Sequence, residues 1–325
     1  MSHAYERLSP ECVLDAIESV GLQADGHVLT LNSYENRVFQ IGVDEHSDMV
    51  AKFYRPGRWS NASIIEEHTF SIELAEQEIP IIPPWQHKAK TLFEFEGFRF
   101  SLFEKRGGRA PELEDLDNLE WIGRFIGRIH LHGRTKPFAH RPQLNSQQFG
   151  WLARETVVNS SLLPAEYREL YASVSAELIE KTEALFSSVK AKDLRLHGDC
   201  HPGNILWTDK GPHFVDMDDC RTGPAVQDLW MLLSGDRQEM TIQLDALLEG
   251  YQVFCEFDQK ELALIEPLRS LRLLHYTAWI TRRWDDPAFP LAFPWFAEAA
   301  YWPGHINDLQ QQLLRTNEPP LSLYP

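Results

Sequence analysis

The hydrophobic pattern in the first hundred residues predicts a small β-sheet. Short apolar runs alternate there with polar positions, a period of two that is typical of half-buried strands. Three such runs occupy residues 28–31, 37–43 and 49–54. Two more, residues 91–95 and 98–103, are separated only by a Glu-Gly dipeptide and predict a hairpin.

Two helices are predicted beside this sheet pattern. Ser9 followed by Pro10 is a capping residue with a proline in the first turn, which marks a helix start. Ser60 or Asn61 is the candidate cap of a second helix, which runs to about residue 77 before a proline-rich stretch breaks it. We therefore expect a sheet with one inserted helix in this part of the chain.

Beyond residue 104 the apolar positions change to the helical period. Leu119, Ile122, Ile126 and Ile129 fall on one face of a helix. The same spacing returns near residues 165–188, 237–254 and 259–284.

The two patterns together predict an α+β fold with two lobes. The Gly-rich, charged tract at residues 104–111, EKRGGRAP, is the expected linker. We expect a small β-rich lobe over residues 1–103 and a larger, mostly helical lobe over residues 112–325. A cleft where two lobes meet is the usual place for a ligand.

The charge of the chain excludes some partners. Among 325 residues there are 31 Lys and Arg against 48 Asp and Glu, a net charge of −17. Such a surface repels nucleic acid and anionic membranes, so neither is expected as a partner, and it would attract a cationic one. We expect a monomer.

The expected location of the protein and the expected state of its cysteines rest on signals that the sequence does not contain. The first residues, MSHAYER, contain no apolar leader, and no stretch approaches the roughly 18 apolar residues of a membrane span. Four cysteines, at positions 12, 200, 220 and 255, show no zinc-binding spacing. They are expected to be buried thiols, and the protein is expected to be cytoplasmic.

Candidate chemistry lies on the turns of a short-strand region at residues 194–216. Asp199 is followed by Asn204 five residues later and by Asp216 twelve beyond that. Phosphoryl transfer needs a carboxylate that orients and deprotonates the attacking hydroxyl, and hard oxygen ligands that hold Mg²⁺ on the nucleotide phosphates. These three side chains can supply both. Turn formation alone is the other interpretation, and it is the weaker one for three such residues together.

The segments around these residues resemble a known superfamily. HGDCHPGN at residues 197–204, followed by VD at 215–216, is similar to the motif of aminoglycoside phosphotransferases and choline kinases, whose fold is that of protein kinases. The spacing from Asp199 to Asn204 also matches the protein-kinase catalytic loop. The resemblance implies that Asp199 is the catalytic base and that Asn204 and Asp216 are Mg²⁺ ligands, Asp216 being catalytically essential.

Further blocks resemble the stress response kinase A family, bacterial Ser/Thr protein kinases within that superfamily. The resemblance runs from about residue 28 to residue 325. It implies ATP- and Mg²⁺-dependent phosphorylation of protein serine and threonine, including autophosphorylation, in a stress response. The blocks are LNSYENRV at 31–38, KFYRPGRW at 52–59, GPAVQDLW at 223–230 and RRWDDPAFP at 282–290.

The same resemblance assigns nucleotide-binding residues in the N-terminal lobe. Lys52 matches the lysine that contacts the α- and β-phosphates, and Glu67 is chosen over the adjacent Glu66 as its ion-pair partner. Ser33 lies in a phosphate-covering loop, SYEN, that contains no glycine, so a turn or capping role competes with phosphate binding for this residue. The adenine hinge is expected at Phe103 and Glu104.

Two other functions stay open at this point. One is phosphorylation of a small cationic alcohol or an aminoglycoside, the commoner activity in the superfamily, which the acidic charge suits equally well. The other is a catalytically silent nucleotide sensor, which is disfavoured because Lys52, Asp199, Asn204 and Asp216 are all present. For Asp228, at the start of an apolar segment, either helix capping or support of the catalytic loop is expected.

Overall fold

The computed structural model describes residues 5–44 and 47–323. Residues 1–4, the first part of the N-terminal segment MSHAYER, lie outside the described residues. The chain forms two compact units. Unit 1 consists of Met1–Glu112, Phe138–Arg141 and His201–Cys220. Unit 2 consists of Leu113–Pro137, Pro142–Cys200 and Arg221–Pro325.

Unit 1 is built on an antiparallel sheet of five strands in the order β1-β2-β3-β5-β4. The central strands β2, β3 and β5 are largely buried because their apolar positions form the core, where the rings of Phe53 and Phe100 stack 5.2 Å apart. The strands are β1 (Ala24–Leu31), β2 (Arg37–Val43), β3 (Met49–Phe53), β4 (Phe93–Phe95) and β5 (Phe98–Glu104).

Two helices accompany the sheet, as predicted. In α1 (Pro10–Ser19) the Ser9 hydroxyl accepts a hydrogen bond from a first-turn amide, and α1 packs on the core of the sheet through apolar side chains. In α2 (Asn61–Glu76) the cap is Ser60, whose hydroxyl accepts from the Ser63 amide.

The segment His201–Cys220 adds a second, two-stranded sheet to unit 1. Strands β7 (Ile205–Thr208) and β8 (Gly211–Phe214) pair in antiparallel register, with Ile205 opposite Phe214. The Phe214 carbonyl accepts a hydrogen bond from Ile82, which joins this hairpin to the rest of the unit.

Unit 2 is mostly helical, which confirms the predicted α+β class. It also contains the short strands β6 (Leu194–Leu196) and β9 (Arg221–Gly223), which pair with each other. Its helices are α3 (Leu116–Gly133), α4 (Leu152–Val158), α5 (Ala165–Val189), α6 (Gln227–Trp230), α7 (Arg237–Gln252), α8 (Ile265–Arg283), α9 (Ala288–Ala292) and α10 (Tyr301–Arg315).

Helices α3 and α7 pack backbone to backbone. A Cβ atom at Gly123 or Gly127 of α3 would collide with main-chain oxygens of α7, and one at Gly250 would collide with the carbonyl of Glu120. The three glycines therefore allow a close approach that any side chain would prevent. This contact fixes His130 and Tyr251, one on each helix, as neighbours.

A hydrophobic core of unit 2 contains C-terminal aromatic side chains. Phe296 and Trp302 are 1% and 3% exposed and pack with α5 and α8 side chains. Core packing is thus the role that the structure gives these rings. In the described parts of the chain, no helix is both long enough and apolar enough to cross a membrane.

Candidate functional site

Lys52 is the centre of a charged cluster in unit 1. It lies on the central strand β3, and its side chain is 8% exposed. The Lys52 Nζ atom lies 2.9 Å from Asp216 Oδ1, 3.2 Å from Asp218 Oδ1 and 3.9 Å from Glu67 Oε1. Three carboxylates from two segments of the chain therefore surround one buried ammonium group.

The carboxylates determine the protonation of this cluster. Burial alone would lower the pKa of Lys52, but Asp216, Asp218 and Glu67 hold it well above its usual value, so the ammonium stays charged. Burial raises the pKa of Glu67 to about 7 in spite of Lys52. Burial acts in the same direction on Asp218, but Arg58 and Lys52 outweigh it and lower the pKa of Asp218 to about 2.

The position of Glu67 on α2 separates it from Glu66. Glu67 is buried and faces Lys52. Glu66 accepts hydrogen bonds from three successive backbone amides, at 2.6 Å from Ala139, 2.7 Å from His140 and 2.8 Å from Arg141. Adjacent residues on a helix point about 100° apart, so one carboxylate is beside the lysine and the other holds the segment Phe138–Arg141.

For Asp218 the sequence leaves two roles open, added negative potential near the metal or substrate and a solvated side chain, and its burial rules out the second. It is 3% exposed and forms an ion pair with Arg58 as well as with Lys52. The Asn36 side-chain amide donates to Asp218 Oδ2 over 3.1 Å. The only available signal was the run of acids at 216–219, because Asn36 and Arg58 lie more than 150 residues away in the sequence.

Arg58 and Arg141 hold the chain that follows Asp216. Arg58 reaches Asp219 Oδ1 over 3.0 Å, and Arg141 Nε donates to the Cys220 carbonyl over 2.9 Å. The Arg141 guanidinium also lies over the Trp59 ring, 4.1 Å from its centroid. These contacts connect the turn at 217–220 to Arg58 and Arg141, two cations of the same unit.

The two proposed metal ligands are brought to adjacent strand ends by the β7–β8 hairpin. The Val215 amide donates to the Asn204 carbonyl over 3.0 Å, which places Asp216 one residue beyond the pairing. Asp216 adopts φ 58°, a left-handed conformation, and 54% of its side chain is exposed. The structure therefore brings Asn204, Asp216 and Lys52 into one region of unit 1.

The donor chemistry of these side chains fits Mg²⁺. A carboxylate and an amide are hard oxygen donors, and Mg²⁺ is commonly held by one or two carboxylates together with substrate phosphates and water. Over residues 5–44 and 47–323, no three His, Cys, Asp or Glu side chains form a metal-binding group. A site with two protein oxygens beside a lysine suits a metal that is also bound by nucleotide phosphates. It suits less well a metal whose ligands all come from the protein.

The remaining N-terminal candidates lie on or next to the five-stranded sheet. Ser33 is half-buried in the bend after β1, and Arg55 holds the next residues of this bend by donating to the carbonyls of Tyr34, over 3.2 Å, and Glu35, over 2.9 Å. Phe103 pairs with Val50 within the sheet. Glu104 ends β5 and forms an exposed ion pair with Arg106. The adenine and phosphate roles of these residues stay predictions.

Asp199 lies in unit 2, where its carboxylate is paired with a cation from α8. Arg272 Nη1 lies 2.7 Å from Asp199 Oδ1, with 46% and 28% of the two side chains exposed. The sequence allows the arginines at 269, 272, 282 and 283 to pair with acidic groups of the site, and the structure shows that Asp199, 73 residues away, is a partner of Arg272.

The turn that precedes Asp199 is held by Asp228. The Asp228 carboxylate accepts from the amides of His197 and Gly198, each over 2.8 Å, and lies 3.0 Å from His130 Nε2. Gly198 has φ 86°, in the left-handed region that favours glycine. Burial would raise the pKa of Asp228, but His130 and the donated hydrogen bonds lower it below its usual range. Of the two roles expected for Asp228, the structure shows support of the loop.

We predict that Asp228→Ala strongly destabilises the protein. The change removes a buried carboxylate from two backbone amides and His130, and breaking a buried pair of this kind costs about 3–5 kcal/mol. Urea unfolding should show a free energy of unfolding lower by that amount, whereas Asp245→Ala on the exposed face of α7 should change it little. Equal stabilities for the two variants would contradict the role given to Asp228.

Comparison with known proteins places the chain in a family. The model of the phosphotransferase enzyme family, APH, matches residues 27–265. Stress response kinase A of Escherichia coli strain K12 is 43% identical over 321 residues, 99% of this chain and 97% of that protein. The serine/threonine protein kinase RdoA of Salmonella typhimurium is 42% identical over the same shares. The chain belongs to the phosphotransferase enzyme family and, within it, to the stress response kinase A family, which confirms the resemblance seen in the sequence.

Solved structures support the fold. Amicoumacin kinase hAmiN, in complex with AMP-PNP, Ca²⁺ and Ami, has a TM-score of 0.73 at 16% identity and covers 97% of this chain and 95% of its own. A microcompartment-associated aminopropanol kinase has a TM-score of 0.70 at 17% identity, with 97% and 100% covered. At these identities the likeness shows a shared kinase fold. The family identifies this chain as a phosphotransferase, and its fold is that of these two kinases.

Proposed function

We propose that this phosphotransferase is an ATP- and Mg²⁺-dependent Ser/Thr protein kinase that also phosphorylates itself. The observation that carries the acceptor class is the similarity over 99% of the chain to a protein named as a serine/threonine protein kinase. Nucleotide and divalent-metal use is supported by the Lys52 cluster and by the related fold that was solved with AMP-PNP and Ca²⁺. A role in a stress response is supported by the names of the relatives.

The residues of unit 1 are assigned to the nucleotide. Lys52 contacts its phosphates, and Glu67 and Asp218 orient the ammonium group from inside the unit. Asn204 and Asp216 would hold the metal, with Ser33 at the phosphate-covering bend and Phe103 and Glu104 at the adenine. Mg²⁺, when bound, neutralises charge that develops on the phosphate oxygens. Lys52 must then exchange Asp216 for phosphate oxygens, because Asp216 is needed as a ligand.

The residue assigned to the acceptor is Asp199. Its carboxylate orients the serine or threonine hydroxyl and takes the proton as the hydroxyl oxygen attacks the γ-phosphorus. The bond between that phosphorus and the ADP oxygen breaks, and ADP leaves with the electron pair. Asp228 contributes by holding the two amides that precede Asp199.

A small cationic alcohol is the second candidate acceptor. It is supported by the similarity in fold to kinases named for amicoumacin and aminopropanol. This alternative changes only the acceptor and leaves the nucleotide-binding residues as assigned.

The test separates the two acceptors. The purified full chain is incubated with γ-labelled ATP and Mg²⁺, alone, with an acidic and a basic acceptor protein, and with cationic alcohols and aminoglycosides. Label on serine or threonine would support the protein-kinase proposal. Label only on an added small molecule would overturn it in favour of the second candidate.

A further inference from the structure

We propose that a groove of unit 2 beside Asp199 recognises an anionic side chain, carboxylate or phosphate, close to the serine or threonine that is phosphorylated. This proposal deepens the proposed function, on which it rests. It specifies an acidic acceptor segment for a protein whose total charge favours cationic partners.

Helices α8 and α10 form the walls of this groove. It encloses about 580 Å³, within the range of about 300–1,000 Å³ that is usual for ligand sites. Arg269, Arg272 and Tyr276 recur every three or four residues along α8, and Asp308, Gln311 and Arg315 do so along α10, so each set shares one helix face. Gln312 joins the walls by donating to Glu266 Oε2 over 2.7 Å.

The polarity of the groove is opposite to that of the whole chain. Three arginines and one carboxylate, Asp308, line it, whereas acids outnumber bases by 48 to 31 overall. Arg269 is partly neutralised by Glu266 at 3.5 Å and lies over Trp230. Arg315 is exposed, and within the described residues no carboxylate lies at ion-pair distance from it. The groove thus offers guanidinium groups that can bind an anion.

Arg272 connects the groove with the proposed base. The same guanidinium lines the groove and lies 2.7 Å from Asp199 Oδ1. A base held by a cation is less able to accept a proton, since the cation favours its ionised form. An anionic side chain in the groove gives Arg272 a second partner, and Asp199 is then available to the acceptor hydroxyl. Binding of the correct segment and release of the base are thereby coupled.

The charge of the groove also argues against a cationic acceptor at this place. An amine within reach of Arg269, Arg272 and Arg315 would be repelled, and Asp308 is the one lining carboxylate that could attract it. A guanidinium pair, in contrast, is well suited to a carboxylate or a phosphate, because the N–H donors match the acceptor oxygens.

The test uses one serine peptide with a Glu, phosphoserine, Gln or Lys placed at each neighbouring position. Initial rates with γ-labelled ATP and Mg²⁺ should show kcat/KM about tenfold higher for the best anionic peptide than for its Gln counterpart, as expected for one charge-assisted contact. The Glu and phosphoserine peptides distinguish carboxylate from phosphate. Arg315→Gln should abolish the preference through KM, and Arg315→Glu should favour the Lys peptide.

A matched variant and a binding measurement make the result decisive. Arg124→Gln, an exposed arginine of α3 paired with Glu120, should keep the full preference. Fluorescence anisotropy of labelled peptides measures binding without turnover. Anion-selective binding that Arg315→Gln removes supports the groove even if serine is never phosphorylated, a result that would count only against the protein-kinase proposal. Equal affinity for the Glu, phosphoserine, Gln and Lys peptides, or a preference that survives Arg315→Gln, would overturn the groove proposal.

Discussion

Asp199→Asn is expected to lower kcat by about 10²–10⁴-fold, the range for a lost general base. Asparagine has nearly the same shape and can still accept a hydrogen bond from Arg272, which lies 2.7 Å from the carboxylate in the wild-type protein. What it lacks is the negative charge and the ability to take a proton from the acceptor hydroxyl. Because Asp199 is assigned to the acceptor and the Lys52 cluster to the nucleotide, nucleotide affinity should stay unchanged.

Two measurements separate this expectation from a structural effect. Titration with a fluorescent ATP analogue gives the nucleotide affinity, and single-turnover transfer of labelled phosphate gives the rate of the chemical step. Asp245→Asn, the same change on the exposed face of α7, should behave as wild type in both. If Asp199→Asn weakened nucleotide binding and left transfer at the wild-type rate, Asp199 would not be the base.

Local features of the fold were readable in the sequence because each depends on neighbouring residues. Strand β2 has the predicted bounds, 37–43, since its alternating residues face the core on one side. Strand β1 begins at Ala24, four residues before its first apolar run, and its register shifts between Ala24 and Val28. It is an edge strand whose polar start is held by pairing with β2, which its own composition could not reveal.

The start of the helix predicted over 259–284 was also not determined by the hydrophobic pattern alone. Residues Gln259–Leu264 form a 3₁₀ segment, and α8 begins only at Ile265. Pro267 lies in the first turn of α8, where the missing N–H of proline has no intrahelical acceptor in any case. The apolar period continues across this junction, so periodicity alone did not place the boundary.

The residues of the candidate site also differ in whether neighbouring sequence or distant partners determine their roles. Asp199, Asn204 and Asp216 were found because one motif and its spacing contain them. Asp218 and Arg272 could be given only general charge roles from the sequence, because their particular partners lie more than 70 residues away. Charged residues that hold the proposed catalytic groups therefore have to be read from the fold, whereas the groups themselves can be read from the motif.

Asp216→Asn is expected to remove metal-dependent nucleotide binding and to reduce transfer to background. Asp216 is the single carboxylate among the two proposed ligands, and replacing it by an amide leaves two neutral oxygens to hold a divalent cation. The fold should persist, because the Asp216 side chain is 54% exposed and Lys52 keeps Asp218 at 3.2 Å and Glu67 at 3.9 Å. In the wild-type protein Lys52 must leave Asp216 before it can bind phosphate oxygens. In Asp216→Asn this ion pair is already absent.

Nucleotide affinity, measured with and without metal, gives the experiment a second readout besides activity. In wild type, Mg²⁺ should strengthen binding of a fluorescent ATP analogue, whereas in Asp216→Asn the affinity should be the same with Mg²⁺ and with EDTA. Metal-free affinity should not fall, since Lys52 no longer has to leave Asp216. Asp209→Asn, an exposed acid in the turn between β7 and β8, is the matched control and should keep the Mg²⁺ effect. If Asp216→Asn retained both the Mg²⁺ effect and near-wild-type turnover, Asp216 would not be a metal ligand, and the role of the β7–β8 hairpin in holding the metal would have to be abandoned.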